Sequence, residues 1–518
     1  MTRSIFAETR EPSWNVYSIF FIAMFFILGL FSWNVLPRFT DIYYHLLVML
    51  GFQEAGGLVL RDFLQYAPVG RQHLYPPLFH GILLGLFKVG LDPIFIARLA
   101  KVIVFPALLG AIWFVIRSVF GNRQAFFTVL IATSSYSFYS SCSDLIPGTL
   151  ACILGLFSFW AQEKDRSITA GFLLGLAFYT HMLMAWILFI SIAIYCVLCA
   201  FAQRNPLRRK YVLTVTLTSF FLGLPMGAYQ FFNRRYFTFI PPPSFATIQV
   251  SIFVFVFALA GLTIALKRKG PAYFPVALVA ALSLLQISYF SRYLSGHGLL
   301  GFVLLAASAL EYLYQKIMRP DSGHWRRLLF ILAAFLFFSI LNPTVSFMRA
   351  MKNTRFNFFD SSIMNLLAYQ AKADEGETTV YQPRFIAPFQ KAIAGNSASG
   401  DIIYSNVNHL GCYLSVVTRR PTANALLPEV KPYALFDPVG AARLIIWFKN
   451  VTPGQPGEPN ELISRYGLSK IKETELCYIY LNAASTAKKS IPPAFIPTPV
   501  LFAMMLGAFS VPLLAKKY

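Results

Sequence analysis

The amino-acid sequence predicts a polytopic α-helical membrane protein with a small extracytoplasmic α/β domain, and three observations predict it. Of 518 residues, 57% are hydrophobic and only 13% charged, about half the ~25% charge of a soluble domain. Mean hydropathy is +0.58. Apolar runs of roughly 18 to 23 residues recur between Val16 and Phe347, each long enough to cross the hydrocarbon core of a bilayer. The runs are continuous rather than alternating, which excludes a β-barrel. Third, Lys and Arg gather in alternate loops, the pattern that orients multi-pass proteins.

The first span, Val16–Leu36, is too long for a signal-peptide core and lacks a small-residue cleavage site, so it reads as a retained helix. A polar loop, 37–94, comes next. Within it Leu78–Gly90 is apolar but short of a span and reads as a re-entrant or interfacial helix. Further spans are expected near 95–116, 125–142, 146–161, 168–182, 184–202, 211–229, 248–266, 272–290, 297–315, 328–347 and 495–514, about twelve in all. Residues 348–490 form the soluble α/β domain. There Asp401–Ser405 reads as a strand, His409–Val417 as a helix, Ala441–Lys449 as a second helix and Cys477–Leu481 as a final strand, with Thr452–Pro459 a Pro/Gly-rich loop. The chain is thus organised as a membrane domain over 1–347, the soluble domain over 348–490 and a closing membrane helix within 491–518.

The net charge is +22, from 44 basic and 22 acidic residues. Nineteen basic residues fall in one set of loops and seven in the opposite loops outside the 348–490 domain. The richer set is cytoplasmic by the positive-inside rule, with both termini on that side. The 37–94 loop, the turn holding Asp144 and the 348–490 domain then lie on the extracytoplasmic side. The basic excess is a topology signal, and no clustered soluble basic face or motif supports nucleic-acid binding. The six cysteines show no CxxC and no metal-ligand spacing. Cys412 and Cys477 share the soluble domain and are a candidate pair.

An acidic group kept at a membrane surface is costly to desolvate and marks a place for chemistry. Asp41 stands there, in Asp41-Ile42-Tyr43-Tyr44-His45. It can cap a helix N-terminus, accept the proton of an acceptor group or bind a metal. His45, four residues on, shares its helical face and can orient it. The loop continues through Pro68-Val69-Gly70-Arg71-Gln72-His73-Leu74-Tyr75-Pro76-Pro77, where Arg71, His73 and Tyr75 are candidates to meet an acceptor. Asp144, in Ser140-Ser141-Cys142-Ser143-Asp144, is a second acid on the same side. It is either a helix cap or, with Asp41, a ligand for Mg2+ or Mn2+. Arg292, in Tyr289-Phe290-Ser291-Arg292-Tyr293, is a lone basic residue at an external helix end. Its planar fork suits a phosphate, or it snorkels to lipid head groups. Arg234 and Arg235, in the loop 229–249, can meet the same anion. His181 reads as structural, and His80 stands out only by location. Walker, GxGxxG, HExxH and GxSxG motifs are absent.

This ordered set resembles the N-terminal half of the GT-C membrane glycosyltransferases, and in particular the catalytic subunit of oligosaccharyltransferase. The resemblance rests on Asp-x-x-Tyr-His after the first helix, then Pro-x-Gly-Arg and Tyr-Pro-Pro, a helix carrying Arg98, and Ser-x-x-x-Asp144, over roughly residues 15–200 with a looser echo near 285–310. It implies that Asp41 lies at the catalytic centre, that Asp144 helps bind a divalent metal, and that Arg292 contacts the donor phosphate. The sequence also departs from that enzyme. Its Trp-Trp-Asp-Tyr-Gly acceptor motif is absent, with Trp447 alone in Ile446-Trp447-Phe448-Lys449. Thr247-Ile248-Gln249-Val250 lacks the acid of the Thr-Ile-x-Glu element, and Leu145 follows Asp144 where a second acid is usual. A related GT-C enzyme with another acceptor fits better than transfer to an Asn-x-Ser/Thr sequon.

The resemblance therefore implies a glycosyltransferase of a prokaryotic plasma (inner) membrane. It would move a sugar from a polyprenyl phosphate or diphosphate to a glycan, lipid or protein acceptor, with inversion and with Asp41 as general base. The alternatives are oligosaccharyltransferase-like protein glycosylation, a non-catalytic scaffold subunit and a transporter of lipid-linked glycans.

Overall fold

The structure is a computed structural model that describes residues 14–37, 41–203, 206–238, 247–284, 296–318, 324–348, 353–371, 381, 383–426, 430–449 and 457–514. Helix α1 (Trp14–Phe31) buries Trp14, Ser18, Phe21, Phe25 and Gly29 along one face, while Val16, Phe20, Ile27 and Phe31 stay exposed. An apolar outer face of that kind suits hydrocarbon, not water. Among the described residues four helices are long and apolar enough to cross a membrane: Trp14–Phe31, Pro93–Phe120, Met182–Phe201 and Tyr211–Phe232. A fifth span arises if Tyr136–Asp144 and Ile146–Glu163, bent by 101° at their junction, count as one.

After α1 the chain forms two helices that do not span. α2 (Asp41–Ala55) is buried on every side from Asp41 to Phe52. α3 (Leu78–Lys88) has only 11 residues, about 16 Å at 1.5 Å per residue, too short to cross. Between them lie the short strands β1 (Gly57–Leu58), β2 (Arg61–Asp62) and β3 (Arg71–Gln72), with β2 and β3 paired antiparallel. Gly70 makes this hairpin possible: its φ is +66°, and a Cβ would meet Arg61 Nε at 2.8 Å and Asp62 O at 2.9 Å.

The bundle continues through α4 (Pro93–Phe120), α5 (Asn122–Ala132), α6 (Tyr136–Asp144), α7 (Ile146–Glu163), α8 (Ser167–Phe178), α9 (Met182–Gln203), α10 (Pro206–Phe232), α11 (Ile252–Arg268) and α12 (Tyr273–Leu284). Ser135 Oγ caps α6 by accepting from Phe138 N–H. The run expected as one span over 125–142 is thus two helices, broken at Thr133–Ser135.

The expected span 328–347 is also shorter than its apolar run. The helix His324–Phe335 passes into a π-helical turn, Leu336–Leu341, and ends at Asn342 in the left-handed region with φ 30°. Pro343 follows and cannot continue the ladder. The chain then enters β5 (Thr344–Met348), which pairs antiparallel with β4 (Thr247–Ser251) on one side and β6 (Asn353–Asn357) on the other. The boundary expected at 347/348 therefore falls inside a strand. Asn342 knots this junction: its Nδ2 donates to Ser134 O (2.9 Å) and Asp360 O (3.1 Å), and its Oδ1 accepts from Ser251 Oγ.

Towards the C-terminus a four-stranded sheet has the order β7 (Ile403–Ser405), β8 (Leu444–Phe448), β10 (Cys477–Leu481), β9 (Ser469–Glu473). Only the β7–β8 pair is parallel. The expected strands at 401–405 and 477–481 and the helix near 409–417, here Asn408–Thr418, are present. Ala441–Lys449, expected as a helix, is instead the central strand β8. Leu-Ile-Ile-Trp-Phe is β-branched and aromatic and nearly all buried, which suits a strand covered on both faces. Cys412 and Cys477 are both buried and unpaired. They sit on different elements, with Cys477 Sγ turned to Thr474 Oγ1 at 3.4 Å.

The helix Asn408–Thr418 packs on α2. One apolar core holds Leu46, Leu47 and Met49 of α2, Phe79 and Leu83 of α3, and Leu410, Tyr413, Ile446 and Ile479. The C-terminal helix Thr498–Leu514 closes against α3. Gly81 lets Met505 lie close, since a Cβ would meet Met505 Sδ at 2.6 Å and push that side chain aside.

Candidate active site

The first turns of α2 carry Asp41 and His45 on one face, because residues four apart in a helix are neighbours. His45 Nε2 lies 3.1 Å from Asp41 Oδ2, and both side chains are buried. Among the described residues this is the one hydrogen bond of the Asp41 side chain. His45 Nδ1 lies 2.9 Å from Nε2 of His80, on α3. The α2–α3 packing thus brings three sequence candidates into one buried chain.

A second group adjoins it on the β2–β3 hairpin. Asp62 Oδ2 accepts from Arg71 Nε at 3.4 Å, and His73 Nδ1 lies 2.8 Å from Asp62 Oδ1. Arg71 Nη2 donates to Gln65 Oε1 at 2.9 Å, and the guanidinium stacks 5.5 Å over the Tyr44 ring. Burial alone would raise the Asp62 carboxyl, but His73 and Arg71 outweigh it and hold Asp62 below the usual carboxylate range. His80 moves down as well: burial first, then the neighbouring His45 and His73 rings, keep it well below the ordinary imidazole value and so uncharged.

Arg71, Asp62, Gln72, Tyr44, Tyr75 and His181 line a cavity of about 240 Å³. The Tyr75 ring stands edge-on between this space and His45, with centroids 4.8 Å apart. His181 Nδ1 accepts from Met184 N–H at the start of α9 (3.1 Å), a structural cap that also faces the cavity. Beside the cavity runs an apolar groove of about 560 Å³ between α8, α9 and α10, lined by Phe178, Trp186, Phe220, Leu224 and Phe231. Met182, Gln230 and Phe237 line both spaces. Arg234 also lines the groove, with its guanidinium 4.4 Å over the Phe231 ring. Arg235 stacks on Tyr236 instead. Val430, Pro432 and Tyr433 strap the cavity: Val430 bridges Phe237, Pro432 bridges Arg71, and Tyr433 N–H donates to Gly70 O at 3.0 Å.

Asp144 ends α6 at the bend into α7. It does not cap α7, whose N-cap Leu145 has no side-chain bond; its Oδ2 accepts from Ser140 Oγ at 2.6 Å. Asp41 and Lys101 are both near enough to act electrostatically on it. Lys101 Nζ donates to Ser32 O (3.1 Å) and Val35 O (3.0 Å), just beyond the C-terminal end of α1. The bend itself is clamped by Thr149, whose hydroxyl donates to Cys142 O at 2.6 Å and lies 2.9 Å from His297 Nε2. Among the described residues no cluster of three or more His, Cys, Asp or Glu is arranged to hold a metal. Asp41 and Asp144 supply two carboxylates, a number that suits Mg2+ when waters fill its remaining positions. Arg292, the expected phosphate contact, lies outside the described residues.

The sequence reading passed over Asp62, Gln65 and Lys101. Asp62 carried a signal in hindsight, an acid nine residues from Arg71 across a Gly-containing turn. Lys101 carried one too, since a charge inside an apolar helix is costly to bury.

A family model for dolichyl-phosphate-mannose-protein mannosyltransferases matches residues 75–229. No curated protein matches by sequence. Among solved structures, ArnT from Cupriavidus metallidurans, in its form bound to undecaprenyl phosphate, superposes with a TM-score of 0.55 at 15% identity, over 92% of this chain and 100% of that one. The archaeal oligosaccharyltransferase AglB from Archaeoglobus fulgidus, in complex with an inhibitory peptide and a dolichol-phosphate, gives 0.54 at 12% identity, over 91% of this chain and 75% of that one. At such identities the likeness is one of fold. The resemblance to the GT-C superfamily read from the sequence holds, and the chain is a multi-pass membrane protein of that architecture.

Proposed function

We propose that this chain, which has the fold of the GT-C membrane glycosyltransferases, transfers a sugar from a polyprenyl phosphate or diphosphate carrier to an extracytoplasmic acceptor, with inversion at the anomeric carbon. About twelve spans with both termini cytoplasmic would put the 37–94 loop and its site outside. The observation that carries the reading is the half-engaged carboxylate of Asp41: Oδ2 is held by His45, and Oδ1 remains for a substrate hydroxyl. Asp41 takes the acceptor's proton as the new bond to the anomeric carbon forms and the carrier phosphate departs with the bonding electron pair. General-base catalysis of this kind is typically worth about 10²–10⁴-fold.

The departing phosphate needs charge stabilisation more than a strong acid. Arg234, at the groove lined by Phe178, Trp186 and Phe231, suits a phosphate whose apolar tail fills that groove, with Arg235 and Arg292 as further donors. The ArnT structure was solved with undecaprenyl phosphate, which favours a carrier of this class. Arg71, His73 and Tyr75 would shape the acceptor side, under the Val430–Tyr433 strap. In the alternative to metal-free base catalysis, Asp41 and Asp144 would together hold Mg2+ or Mn2+, which supplies charge neutralisation at the phosphate when bound. A peptide acceptor is the second reading, favoured by the inhibitory peptide bound to AglB.

The test is sugar transfer in liposomes from radiolabelled polyprenyl-linked donors to a membrane extract, with wild-type protein and Asp41→Asn. Label transfer by wild type and its loss in the variant support the reading; full activity in the variant overturns the assignment of Asp41. Loss of activity in EDTA, restored by Mg2+ or Mn2+, identifies the metal.

A further inference from the structure

His45 has two nitrogens and two neighbours, so its proton cannot be assigned alone. An ionised Asp41 has only lone pairs to offer, so His45 Nε2, 3.1 Å away, must carry a hydrogen. If His45 is neutral, its Nδ1 is then bare. His80 Nε2, 2.9 Å from that nitrogen, must be the donor. A neutral His80 with its proton on Nε2 leaves Nδ1 bare, and His80 Nδ1 is buried without a hydrogen-bond partner among the described residues. A bare acceptor is the milder state to bury alone; an orphaned N–H is the rarer one. The whole chain has one consistent order, and it runs towards Asp41.

We propose that His80 is a positioning residue for Asp41. Its Nε2–H, donated to His45 Nδ1, fixes the His45 tautomer and so holds the Asp41 carboxylate by Oδ2 with Oδ1 turned to the acceptor. This rests on the reading of Asp41 as the base. The device needs no change of charge, and the burial that keeps His80 neutral suits it. Without the donor from α3, His45 can adopt the other tautomer and present a bare nitrogen to the carboxylate, which repels it. The carbonyl–amide end of Gln reaches about as far as the imidazole Nε2, so His80→Gln preserves the donor and His80→Leu removes it.

The experiment measures kcat and donor KM in liposomes for wild type, Asp41→Asn, His80→Gln and His80→Leu. Changing an outer partner of this kind typically lowers activity roughly 10- to 100-fold. That loss is expected in kcat of His80→Leu, with donor KM unchanged and His80→Gln close to wild type. Unchanged kcat in His80→Leu, an equal loss in both variants, or an effect on KM alone overturns the proposal. Nitrogen-15 solid-state NMR of histidine-labelled protein in liposomes decides independently of turnover, with His45 assigned by signal loss in His45→Gln. Protonated Nε2 and bare Nδ1 on His45, changed in His80→Leu, support it; a protonated Nδ1 in the wild type overturns it. Absence of transfer by wild type, with that NMR pattern present, would sink the enzyme reading and leave the hydrogen-bond order standing.

Discussion

Two buried carboxylates at opposite ends of the bundle are treated in opposite ways. Glu311, on the helix Leu299–Ile317, accepts from Arg123 Nη2 (3.4 Å) and Gln315 Nε2 (2.8 Å) on one oxygen and from Arg268 Nη1 (3.2 Å) on the other. Both arginines reach solvent, with 27% and 37% of their side chains exposed. Every lone pair that matters is spoken for, and the charge is screened. Among the described residues Asp41 has a single imidazole on one oxygen, and the rings behind it end in nitrogens without partners there, His80 Nδ1 and His73 Nε2. A saturated ion pair ties α5, α11 and the helix Leu299–Ile317 together. An unsaturated carboxylate stores acceptor capacity, which costs stability and is retained where a substrate can use it.

The comparison breaks most visibly at Asp41. Asp41→Asn should lower turnover by about 10²–10⁴-fold with unchanged membrane insertion, whereas Glu311→Gln should leave turnover as it was; equal losses in the transfer assay would erase the distinction. Next comes Asp62→Asn, which leaves Arg71 buried beside a neutral amide and should destabilise the protein by about 3–5 kcal/mol, read as a lower Tm in detergent. The Asp62 carboxyl is held low in the folded protein. Its stabilisation is therefore complete above the unfolded value of about 3.9 and drains as pH falls through the lower folded value. Asp62→Asn should flatten that acid limb of the Tm profile.

A smaller effect is expected from Thr149→Val, which removes the hydroxyl bonded to the Cys142 carbonyl and to His297 Nε2, for about 1–3 kcal/mol. Because Thr149 clamps the bend bearing Asp144, its kcat should fall too, and Thr149→Ser should restore both; a Tm loss without a kcat loss would make the clamp purely structural. The smallest is Glu311→Gln, about 1 kcal/mol after solvent screening of its partners, best measured as the Tm difference between low and high salt.

Much of the fold was legible, and the reasons are particular. α1 and α4 announce themselves because hydrocarbon demands unbroken apolar length. Asp41 and His45 were readable as a pair because four residues is one helical turn. His80 was not readable as their partner, since nothing local says that α3 will lie on α2. Ala441–Lys449 was misread because a short apolar run has no period to tell a strand from a helix; its neighbours β7 and β10 decide the matter, and they lie some 40 and 30 residues away. The break at Asn342 needed tertiary knowledge too, since Asn342 is held by Ser134, Ser251 and Asp360.

The core shared by α2, α3 and the helix Asn408–Thr418 has a temporal meaning. Asp41 and Asn408 lie about 370 residues apart in the chain, and at roughly 5–20 residues per second of synthesis the first leaves the ribosome some tens of seconds before the second. Throughout that interval α2 has none of the C-terminal surface that buries it, and the strap from Val430 to Tyr433 does not yet exist. The nascent chain therefore carries Asp41 in an unfinished setting, and the cavity beside it closes only when synthesis is almost over. Inserted chains should pass through a protease-sensitive stage in the 37–94 loop that ends abruptly once residues beyond about 480 have emerged.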